Sequence, residues 1–326
     1  MSALVTNARS RIAYNIAKSL GKNRISVHTA DFKPFAMSFY SKYSKSHFIY
    51  PSPFSQQEKF IESIIENIKR LNIEVLLPSF EETYLISKFK ERLSQHVKLI
   101  IPDYSMVLTA HNKNKWIEIA KELNIPVPKT YSICEILENT ENIEKLNFPV
   151  FIKPKQGGGG WGINLFSSGE DLRKILDSKH YQYLSWDRFF IQEKVHGQVH
   201  GVAMLFRHGQ LRAKVGYEQL REYPIGAGQA TLRVSKRNEE AEVYLERFLG
   251  YLGWHGICQA DFVIDKLTGV PHLIDINPRF WGSLIQGIAS GVDFPYLAYK
   301  IAIDGDVKSI KDYKSGVITR WLGGDL

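Results

Sequence analysis

The sequence of 326 residues contains little cysteine and no long apolar segment. Its two cysteines, Cys134 and Cys258, are too few for a disulfide framework and suit a reducing compartment. No stretch approaches the run of about 18 apolar residues that a membrane-spanning helix needs. The first residues also lack the layout of a signal peptide, because Arg9 and Arg11 follow directly on a short apolar run. These absences predict a cytoplasmic protein with no membrane partner.

Several motifs of common enzyme classes are missing as well. No G-x-S-x-G segment marks a serine nucleophile, and the histidines do not follow the spacing of zinc ligands. No G-x-G-x-x-G turn follows the first apolar run, and no Gly-Lys-Ser/Thr triplet opens a helix. The sequence therefore predicts neither a dinucleotide-binding first domain nor a Walker A phosphate loop.

Acidic residues are scarce in the first 50 positions, which hold eight lysines and arginines but only one acid, Asp31. The formal net charge of the chain is +8, so most of the excess lies in this part. Aromatic residues alternate with bases in SFYSKYSKSHFIY, as they do on nucleic-acid surfaces. Nucleic acid is not expected as a partner, because no helix-turn-helix, zinc-finger or RNP signature accompanies the stretch. A solvated basic face is the simpler interpretation, and an anionic partner or substrate is the alternative.

Strands and helices alternate over roughly residues 1–105. Apolar runs at ALVT, ISVHTAD, VLLPS and KLIIPD predict strands, and the spacing of Phe60, Ile61, Ile64 and Ile68 predicts an amphipathic helix. This alternation predicts a parallel, Rossmann-like sheet. The loops NARSR and PSFEE would then lie at the carboxyl ends of its strands and face a ligand crevice. From residue 148 onward, strands separated by turns predict an α+β region of antiparallel sheets, with one helix at EAEVYLERFLGYLG.

The segment FIKPKQGGGGWG places four consecutive glycines beside Lys153 and Lys155. A flexible linker would have polar flanks, whereas these glycines lie between two apolar, strand-like runs, FPVFIKP and INLF. The pattern therefore predicts a β-hairpin with a glycine tip. Glycine lets backbone N–H groups approach phosphate oxygens closely, and Lys153 could reach the same phosphates. A plain hairpin tip and a phosphate-binding flap both remain open on these residues alone.

Two acids and an arginine mark the last predicted hairpin, QADFVIDKLTGVPHLIDINPR. Asp275, Asn277 and Arg279 alternate, so they share one face of a strand, and the intervening isoleucines face a core. The turn between the two strands would place Asp261 opposite Ile274 or Asp275. Two carboxylates about 4 Å apart repel by about 4 kcal/mol at an effective dielectric constant of 20, which favours a bound Mg²⁺ or Mn²⁺. The alternative is an exposed hairpin in which Arg279 pairs with both acids.

Together, these segments resemble the ATP-grasp superfamily, and within it the carboxylate–amine ligases and a branch of ATP-dependent carboligases. The resemblance runs from about residue 3 to about residue 310. It rests on the glycine hairpin after a Lys-Pro strand and on the final acid-x-Asn-Pro-Arg strand. It implies a Rossmann-like α/β pre-ATP-grasp domain at residues 1–108. An α+β ATP-grasp fold would follow, with a subdomain at 109–198 that carries the phosphate flap and another at 199–326 that carries the metal hairpin.

The resemblance also implies which residues bind the nucleotide. Lys113, in the pair NK before NIPVP, and Lys153 match the two lysines that contact phosphates. The other implied contacts lie in the flap, in the adenine-binding segment FFIQEKV and just beyond it: Lys155, Gln156, Gly157, Gly158, Gly159, Gly160, Gln192, Glu193, Lys194, Val195 and His200. The last of these stands where the family often has an acid for the ribose hydroxyls.

Metal binding and catalysis are implied for further residues. The metal ligands of the family match Asp261, Asp275 and Asn277. Arg279 matches the catalytic arginine, and Lys153 and Arg221 are the other catalytic candidates. The stretch GYEQLREYPIGAGQATLRVS stands at the place of a mobile loop that closes over the reacting groups. Its candidates for phosphate or substrate contact and for hinges are Arg221, Lys214, Gly226 and Gly228.

The resemblance implies ATP-dependent ligation with ATP and Mg²⁺ (or Mn²⁺) as cofactors. ATP would convert a carboxylate to an acyl phosphate, and an amine would displace the phosphate, so that ADP and phosphate are released. Arg9 and Arg11 would bind an anionic substrate. The partners would be a small-molecule carboxylate and an amine, and a homodimer is left open. A small-molecule kinase and a nucleotide-binding protein without turnover are the alternatives. Similar sequences continue beyond GVITRWLGGDL, so whether this chain is shortened there is left open.

Overall fold

The N-terminal part of the chain forms a parallel sheet. The computed structural model describes residues 1–156, 162–177, 186–223 and 228–325. Five parallel strands pair in the order β3-β2-β1-β4-β5, and this confirms the predicted Rossmann-like sheet. Their bounds are Ser2–Val5 (β1), Ser26–Asp31 (β2), Ser44–Ile49 (β3), Val75–Leu77 (β4) and Lys98–Leu99 (β5).

Helices pack on both faces of this first sheet. They are α1 (Arg11–Lys22), α2 (Gln57–Leu71), α3 (Glu82–Lys88) and α4 (Lys90–Ser94). α1 covers the face of Ala3, whereas α2 covers the opposite face, where Leu4 lies. Ser10 caps the N-terminus of α1, since its hydroxyl accepts a hydrogen bond from the backbone N–H of Ala13. Phe89 separates α3 from α4.

Two helices lead from the first sheet to a second, smaller one. They are α5 (Tyr104–His111) and α6 (Lys113–Glu122). Asn112 separates them and caps α6, since its side-chain oxygen accepts hydrogen bonds from the backbone N–H groups of Asn114 and Lys115. The cap fixes the direction in which α6 starts, and therefore the position of Lys113 at its first turn.

The second sheet is antiparallel and has the order β6-β9-β7-β8. Its strands are Thr130–Ser132 (β6), Val150–Pro154 (β7), Asn164–Phe166 (β8) and Phe189–Glu193 (β9), with helices at Ile133–Glu138 (α7) and Gly169–Leu176 (α8). Val150 pairs with Phe166 and Ile152 with Asn164, so the hairpin predicted around the glycines is confirmed in its two strands. The sequence did not predict α8, which packs under this sheet through Leu172.

The third sheet is also antiparallel, with the order β14-β13-β10-β11-β12-β15. Its strands are Gly197–Arg207 (β10), Gln210–Tyr223 (β11), Gln229–Ser235 (β12), Gly256–Asp265 (β13), Pro271–Asn277 (β14) and Ile318–Arg320 (β15). β10 and β11 are joined by His208 and Gly209, whose φ angles of 44° and 77° give the left-handed turn that tight hairpins favour. The α+β antiparallel region is therefore confirmed.

The third sheet is covered on both faces, which brings the first domain beside it. Its helices are α9 (Glu239–Tyr251), α10 (Leu284–Ala289), α11 (Phe294–Asp304) and α12 (Leu322–Asp325). Ala203 of β10 packs in one core with Ile16 of α1 and Phe294 of α11, while Met204 points to the other face and packs with Phe248 of α9. Among the described residues, no helix combines the length and the apolar character that crossing a bilayer requires.

Candidate functional site

A cleft of about 790 Å³ brings together residues of the second and third sheets and of loops that follow strands of the first sheet. The loops after β1 and β4 contribute Asn7, Ser10 and Phe80, so the predicted position of NARSR and PSFEE beside a crevice is confirmed. Most of the predicted site residues lie in its wall: Lys113, Lys153, Gln192, Glu193, Lys194, Val195, Asp261, Asp275, Asn277 and Arg279. The helix, strand and hairpin that carry these groups therefore converge on one space.

The hairpin of β13 and β14 places two acids directly opposite each other. Asp261 pairs with Asp275, and Gln259 pairs with Asn277 two residues further along. These four side chains share one face of the hairpin, and all four line the cleft. The sequence identified three of them and missed Gln259, although its alternation with Asp261 in QAD was the available signal.

A β-bulge in β14 determines which acid meets which. Near the turn Phe262 pairs with Leu273, whereas Asp261 pairs with Asp275, so Ile274 is the extra residue. The two registers that the sequence left open therefore both occur, one on each side of the bulge. The bulge also corrects a prediction. Ile274 lines the cleft, whereas it was expected to face the core with Ile276.

The paired acids are electrostatically coupled. Burial, and then the charge of Asp275, raise the pKa of Asp261 to about 7. A hydrogen bond of 2.7 Å from the Gln259 amide nitrogen to Asp261 Oδ1 opposes this rise. Asn277 donates through Nδ2 to Gln259 Oε1 at 2.8 Å, which aims its own carbonyl oxygen elsewhere. Gln259 thus fixes Asp261 and Asn277 relative to each other, with Asp275 opposite Asp261 in the hairpin.

Two buried lysines approach this hairpin, one from the first turn of α6 and one from β7. Lys113 Nζ lies 3.0 Å from Asp275 Oδ1. Lys153 Nζ donates to Gln192 Oε1 at 2.7 Å, and Gln192 in turn donates to Thr130 Oγ1 at 3.0 Å. Burial lowers the pKa of Lys153 to about 8, against the attraction of Asp275 and with the help of Lys113. Both ammonium groups therefore lie where their positive charge would stabilise a bound polyanion.

Arg279 is fixed by the first domain. Its Nε and a terminal nitrogen both reach Glu81 Oε1, at 3.0 and 2.9 Å. Its guanidinium lies over the ring of Phe80, 4.2 Å from the ring centre, and also donates to the backbone oxygen of Phe280. Sequence reasoning placed the PSFEE loop near a ligand but did not identify Glu81 as the partner of Arg279, because 198 residues separate them.

For the ATP-dependent turnover that the resemblance implies, we expect Glu81→Gln to lower kcat about tenfold and to leave the KM for ATP nearly unchanged. The neutral amide would lose one charge-assisted hydrogen bond and loosen the guanidinium of Arg279 without touching the nucleotide. Steady-state kinetics with varied ATP would measure both constants. Glu91→Gln, an exposed change on α4, is the matched control and should behave like the unchanged protein. A rise in KM alone would contradict a positioning role for Glu81.

The strand β9 carries the segment predicted to contact adenine. Gln192, Glu193, Lys194 and Val195 all line the cleft. The carboxylate of Glu193 is already engaged, since it accepts hydrogen bonds from the Tyr131 hydroxyl at 2.6 Å and from Asn147. The backbone N–H of Lys194 is also used within the protein, by the carbonyl of residue 149 at 3.0 Å. The segment is thus held rigidly along one wall of the cleft.

His200 does not reach the cleft. On β10 it pairs with Phe262, while its neighbour Gly201 pairs with Asp261, so its side chain projects from the face opposite the acids. It is buried there, and its Nε2 has no hydrogen-bond partner among the described residues. The prediction that His200 contacts the nucleotide is therefore wrong. The position aligns with the sequence motif, but strand alternation turns the side chain away.

The burial of His200 makes the protein sensitive to acid. Desolvation lowers the pKa of His200 to about 4, from about 6.5 in an unfolded chain. The unfolded state therefore takes up the proton first, and stability is lost as the pH falls from about 6.5 towards 4. We expect His200→Gln to reduce this loss by about 3 kcal/mol, as measured by urea unfolding at pH 7.5 and 4.5. His196→Gln, at an exposed position, should leave the loss unchanged.

Several other predicted contacts also lie outside the cleft wall. Lys214 points to α9, where its ammonium is 2.7 Å from Glu242 Oε2, so its predicted substrate contact is wrong. Arg221 is exposed on β11 and is not among the described residues that line the cleft. Lys155 and Gln156, which follow the end of β7, are not among the residues that line the cleft either. The backbone of Lys155 nevertheless joins the subdomain together, because its carbonyl accepts from the N–H of Lys113 at 2.9 Å.

Two predicted loops are partly described. Most of GYEQLREYPIGAGQATLRVS forms the strands β11 and β12, so the predicted mobile loop is wrong for those residues. Gly228 lines the cleft, whereas Gly226 lies outside the described residues. The predicted phosphate contacts Gly157, Gly158, Gly159 and Gly160 also lie outside them.

The donor set at the hairpin fits a hard divalent cation. Asp261 and Asp275 each have one oxygen engaged by the protein, by Gln259 and Lys113 respectively. The carbonyl oxygen of Asn277 accepts no hydrogen bond from the described residues. The part of the chain that the structure describes contains no cluster of three His, Cys, Asp or Glu side chains. A cation here would therefore take its remaining oxygen ligands from phosphates and water, as Mg²⁺ commonly does.

Comparison with known proteins assigns the family. A family model described as the ATP-grasp domain matches residues 110–283, which is more than half of the chain. The chain belongs to the ATP-grasp family. The match includes both lysines, both acids and Arg279, whereas Glu81, the partner of Arg279, lies outside it. The architecture inferred from the resemblance is therefore confirmed for this ATP-grasp chain.

Curated relatives of this ATP-grasp chain are distant. The N-terminal section of the carbamoyl phosphate synthase large chain of Methanopyrus kandleri is 21% identical over 229 residues, which are 68% of this chain and 40% of that protein. The D-alanine–D-alanine ligase of Flavobacterium psychrophilum is 24% identical over 187 residues, or 53% of this chain and 55% of that protein. The chain thus spans about half or less of the length of these relatives.

Solved structures confirm the ATP-grasp architecture over nearly the whole chain. The biotin carboxylase domain of the 2-oxoglutarate carboxylase of Hydrogenobacter thermophilus superposes with a TM-score of 0.76 at 13% identity, covering 97% of this chain and 73% of that one. That domain is a dimer, and it was solved with MgADP and bicarbonate. At this identity the likeness shows the fold.

Proposed function

We propose that this ATP-grasp chain is an ATP-dependent ligase that activates a carboxylate as an acyl phosphate for attack by an amine. ADP and phosphate would be released, and a C–N bond would form. One observation carries the proposal: Asp261 and Asp275 face each other in the same cleft as Lys113, Lys153 and Arg279. The names of the relatives, which include an amino-acid ligase and a carbamoyl phosphate synthase, support the reaction class.

The proposed roles follow from charge and position. Mg²⁺ (or Mn²⁺), when bound at the hairpin, would neutralise charge on the phosphates of ATP. Lys113 and Lys153 would bind the same phosphates, because their ammonium groups lie beside Asp275 and Gln192 in the wall of the cleft. Arg279, held in place by Glu81, would stabilise the charge that develops on the transferring phosphoryl group.

The chemistry needs no covalent protein intermediate. A carboxylate is a poor acyl donor, and phosphorylation supplies the leaving group that the amine displaces. Cys258 is buried on the far side of the third sheet, and burial raises its pKa, so it is not a nucleophile. Catalysis would therefore consist of positioning and charge stabilisation in a cleft that holds all reactants at once.

We also propose domain boundaries at 108 and 198. The first domain would then supply the loops above the cleft, and the two ATP-grasp subdomains would supply its walls. Small carboxylates and amines are the proposed partners, the cytoplasm is the proposed location, and a homodimer is an arrangement that the dimer of the biotin carboxylase domain suggests.

Nucleotide products test the proposal directly. The protein, MgATP and panels of carboxylic acids and amines would be incubated together, and ADP, AMP and phosphate would be quantified by chromatography. ADP formation that requires both an acid and an amine is the expected result. AMP as the product would contradict acyl-phosphate chemistry. A stable phosphorylated product formed without an amine would identify a kinase, and calorimetric ATP binding with no turnover on any acid would identify a binding protein.

A further inference from the structure

A pair of arginines, one partly buried and one fully buried, lies in the cleft away from the acidic hairpin. Arg11 is the first residue of α1, and Arg233 lies on β12 and is only 2% exposed. Both side chains line the cleft. Neither forms an ion pair with any carboxylate among the described residues. Arg9 also lines the cleft, but its guanidinium already donates to the carboxylate of Asp31, so Arg11 and Arg233 are the two arginines considered together.

Trp321 connects the two arginines. The guanidinium of Arg11 stacks on its ring, 3.6 Å from the ring centre. The backbone N–H of Trp321 donates to the carbonyl of Thr231 at 2.7 Å, and Thr231 precedes Arg233 by two residues on the same face of β12. Arg11 and Arg233 are thereby held near each other. Burial, and then the charge of Arg233, lower the pKa of Arg11, as expected for two cations that share a space.

Two donors of residues that line the cleft have no acceptor among the described residues. Arg233 Nε is buried and unpartnered, although the same guanidinium donates to the carbonyl of Ala230. Trp281 lines the cleft, and its indole N–H is also buried without a partner. The first turn of α1 contains no acid, and its backbone N–H groups begin at the cleft. Buried donors without acceptors are costly, so this part of the cleft is built for an acceptor that the chain does not supply.

This cluster is separate from the proposed phosphate-binding groups. Lys113 acts on the pKa of Lys153, Arg279 acts on the pKa of Asp261, and Asp275 acts on both. Tyr217 lies between the two groups of charges: burial, and then Asp261, raise its pKa, and Arg233 opposes this. The cleft therefore has two cationic ends with Tyr217 between them, and the triphosphate would occupy only the end with the acids.

We propose that Arg11 and Arg233 bind an oxyanion, a carboxylate or a phosphate group, of one of the two substrates, and that this group is not the one activated. The proposal rests on the proposed ligase function, and it restricts the substrates to a pair in which one member carries an extra negative charge. Arginine suits this task because its planar fork binds both oxygens of such a group. Since Arg11 belongs to the first domain and Arg233 to the third sheet, the bound group would bridge them.

Probe binding in the presence of MgADP tests this inference. Thermal unfolding and calorimetry of the full chain would be measured with succinate, citrate, inorganic phosphate and the common amino acids. The amides of the same acids serve as uncharged counterparts. We expect at least one oxyanion to bind and its amide to bind at least about tenfold more weakly. Carboxylates and phosphate as separate arms identify which group the site takes.

Variants separate a binding role from a structural one. Arg11→Met and Arg233→Met should each weaken the oxyanion by about tenfold or more, and Arg→Lys at either position should restore only part of the loss. Lys22→Met removes the same charge from the last turn of α1, outside the cleft, and should change nothing. Without ligand, the Arg233→Met protein should melt at the same temperature or higher, because it loses an unpaired buried charge.

The results distinguish this inference from the proposed function. Oxyanion binding that is equally strong in Arg11→Met and Arg233→Met overturns the inference, and so does a protein that binds MgADP but none of the probes. Phosphate binding that survives both changes belongs to the triphosphate end and counts against the inference as well. Failure to bind MgADP, or the absence of ADP-forming turnover, would instead reject the ligase function, whatever the arginine variants show.

Discussion

Replacing Asp275 by asparagine is expected to lower the rate of ADP formation by roughly 1,000-fold, or about 4 kcal/mol of transition-state stabilisation. The carboxylate of Asp275 faces Asp261 across the hairpin and contacts the ammonium of Lys113 at 3.0 Å. The amide keeps the shape of the side chain but removes the charge that would hold a divalent cation on the triphosphate. Initial rates at saturating MgATP, with the acid and amine found in the screen, measure the loss.

A surface variant and a titration make this prediction specific. Asp312→Asn removes an equal charge from an exposed pair with Arg237 and should keep the full rate. In Asp275→Asn the pKa of Asp261 should fall below about 7, because one of the two causes of its elevation is gone. Carboxyl resonances of the metal-free protein report that change. A variant that retains more than about a third of the rate would contradict the metal-binding role.

Replacing Arg279 by methionine is expected to lower kcat by roughly 100- to 1,000-fold while the KM for ATP changes little. The guanidinium is held by Glu81 and Phe80 before any substrate arrives, so it would meet the developing charge without reorganisation. An interaction made mainly in the transition state appears in kcat, and one made equally with bound ATP appears in KM. Full steady-state kinetics in ATP and in the acid substrate separate the two cases.

The choice of replacement sharpens the test. Arg279→Lys retains the charge but cannot form two contacts with Glu81 and lie over Phe80, so at most about a tenth of the rate should return. Arg92→Met, which changes a partly exposed arginine on α4 that pairs with Glu58, controls for the loss of a positive charge. A higher KM for ATP with an unchanged kcat would show that Arg279 only binds the nucleotide, and the catalytic assignment would then be wrong.

The part of the site that could be predicted from sequence is the part governed by local rules. Asp275, Asn277 and Arg279 alternate within one short strand, and the preceding turn is close enough to bring Asp261 opposite. Strand period and turn length are properties of neighbouring residues, so they survive folding largely unchanged. The glycine hairpin was predicted for the same reason, and its two strands pair as expected.

The wrong or missing predictions concern features that the tertiary structure, and not the local sequence pattern, determines. The strand β3 has the sequence SKSHFI, which lacks alternation, and it exists because β2 offers it an edge. His200 sits at the right distance along the chain from Glu193, but its direction depends on the phase of β10 in the sheet. Such choices depend on tertiary context, which local patterns do not encode.

The electrostatic partners of the site belong to the same class of failure. Glu81 meets Arg279, and Arg11 approaches Arg233, only because the first domain packs against the third sheet through α1. Neither segment contains a local sequence pattern that identifies its partner. Gln259 is different: it lies two residues before Asp261 on the same strand, and stricter use of the alternation would have found it.

The ion pair between Glu81 and Arg279 has a consequence for how such proteins can be recombined. A graft that exchanged the N-terminal domain would carry away the acid and leave its arginine behind in a closed, water-poor setting. Chimeras should therefore lose turnover even when both halves fold, and recover it when the matching glutamate is restored in the donor loop. The contact between the loop after β4 and Arg279 thus lies at the proposed reaction centre.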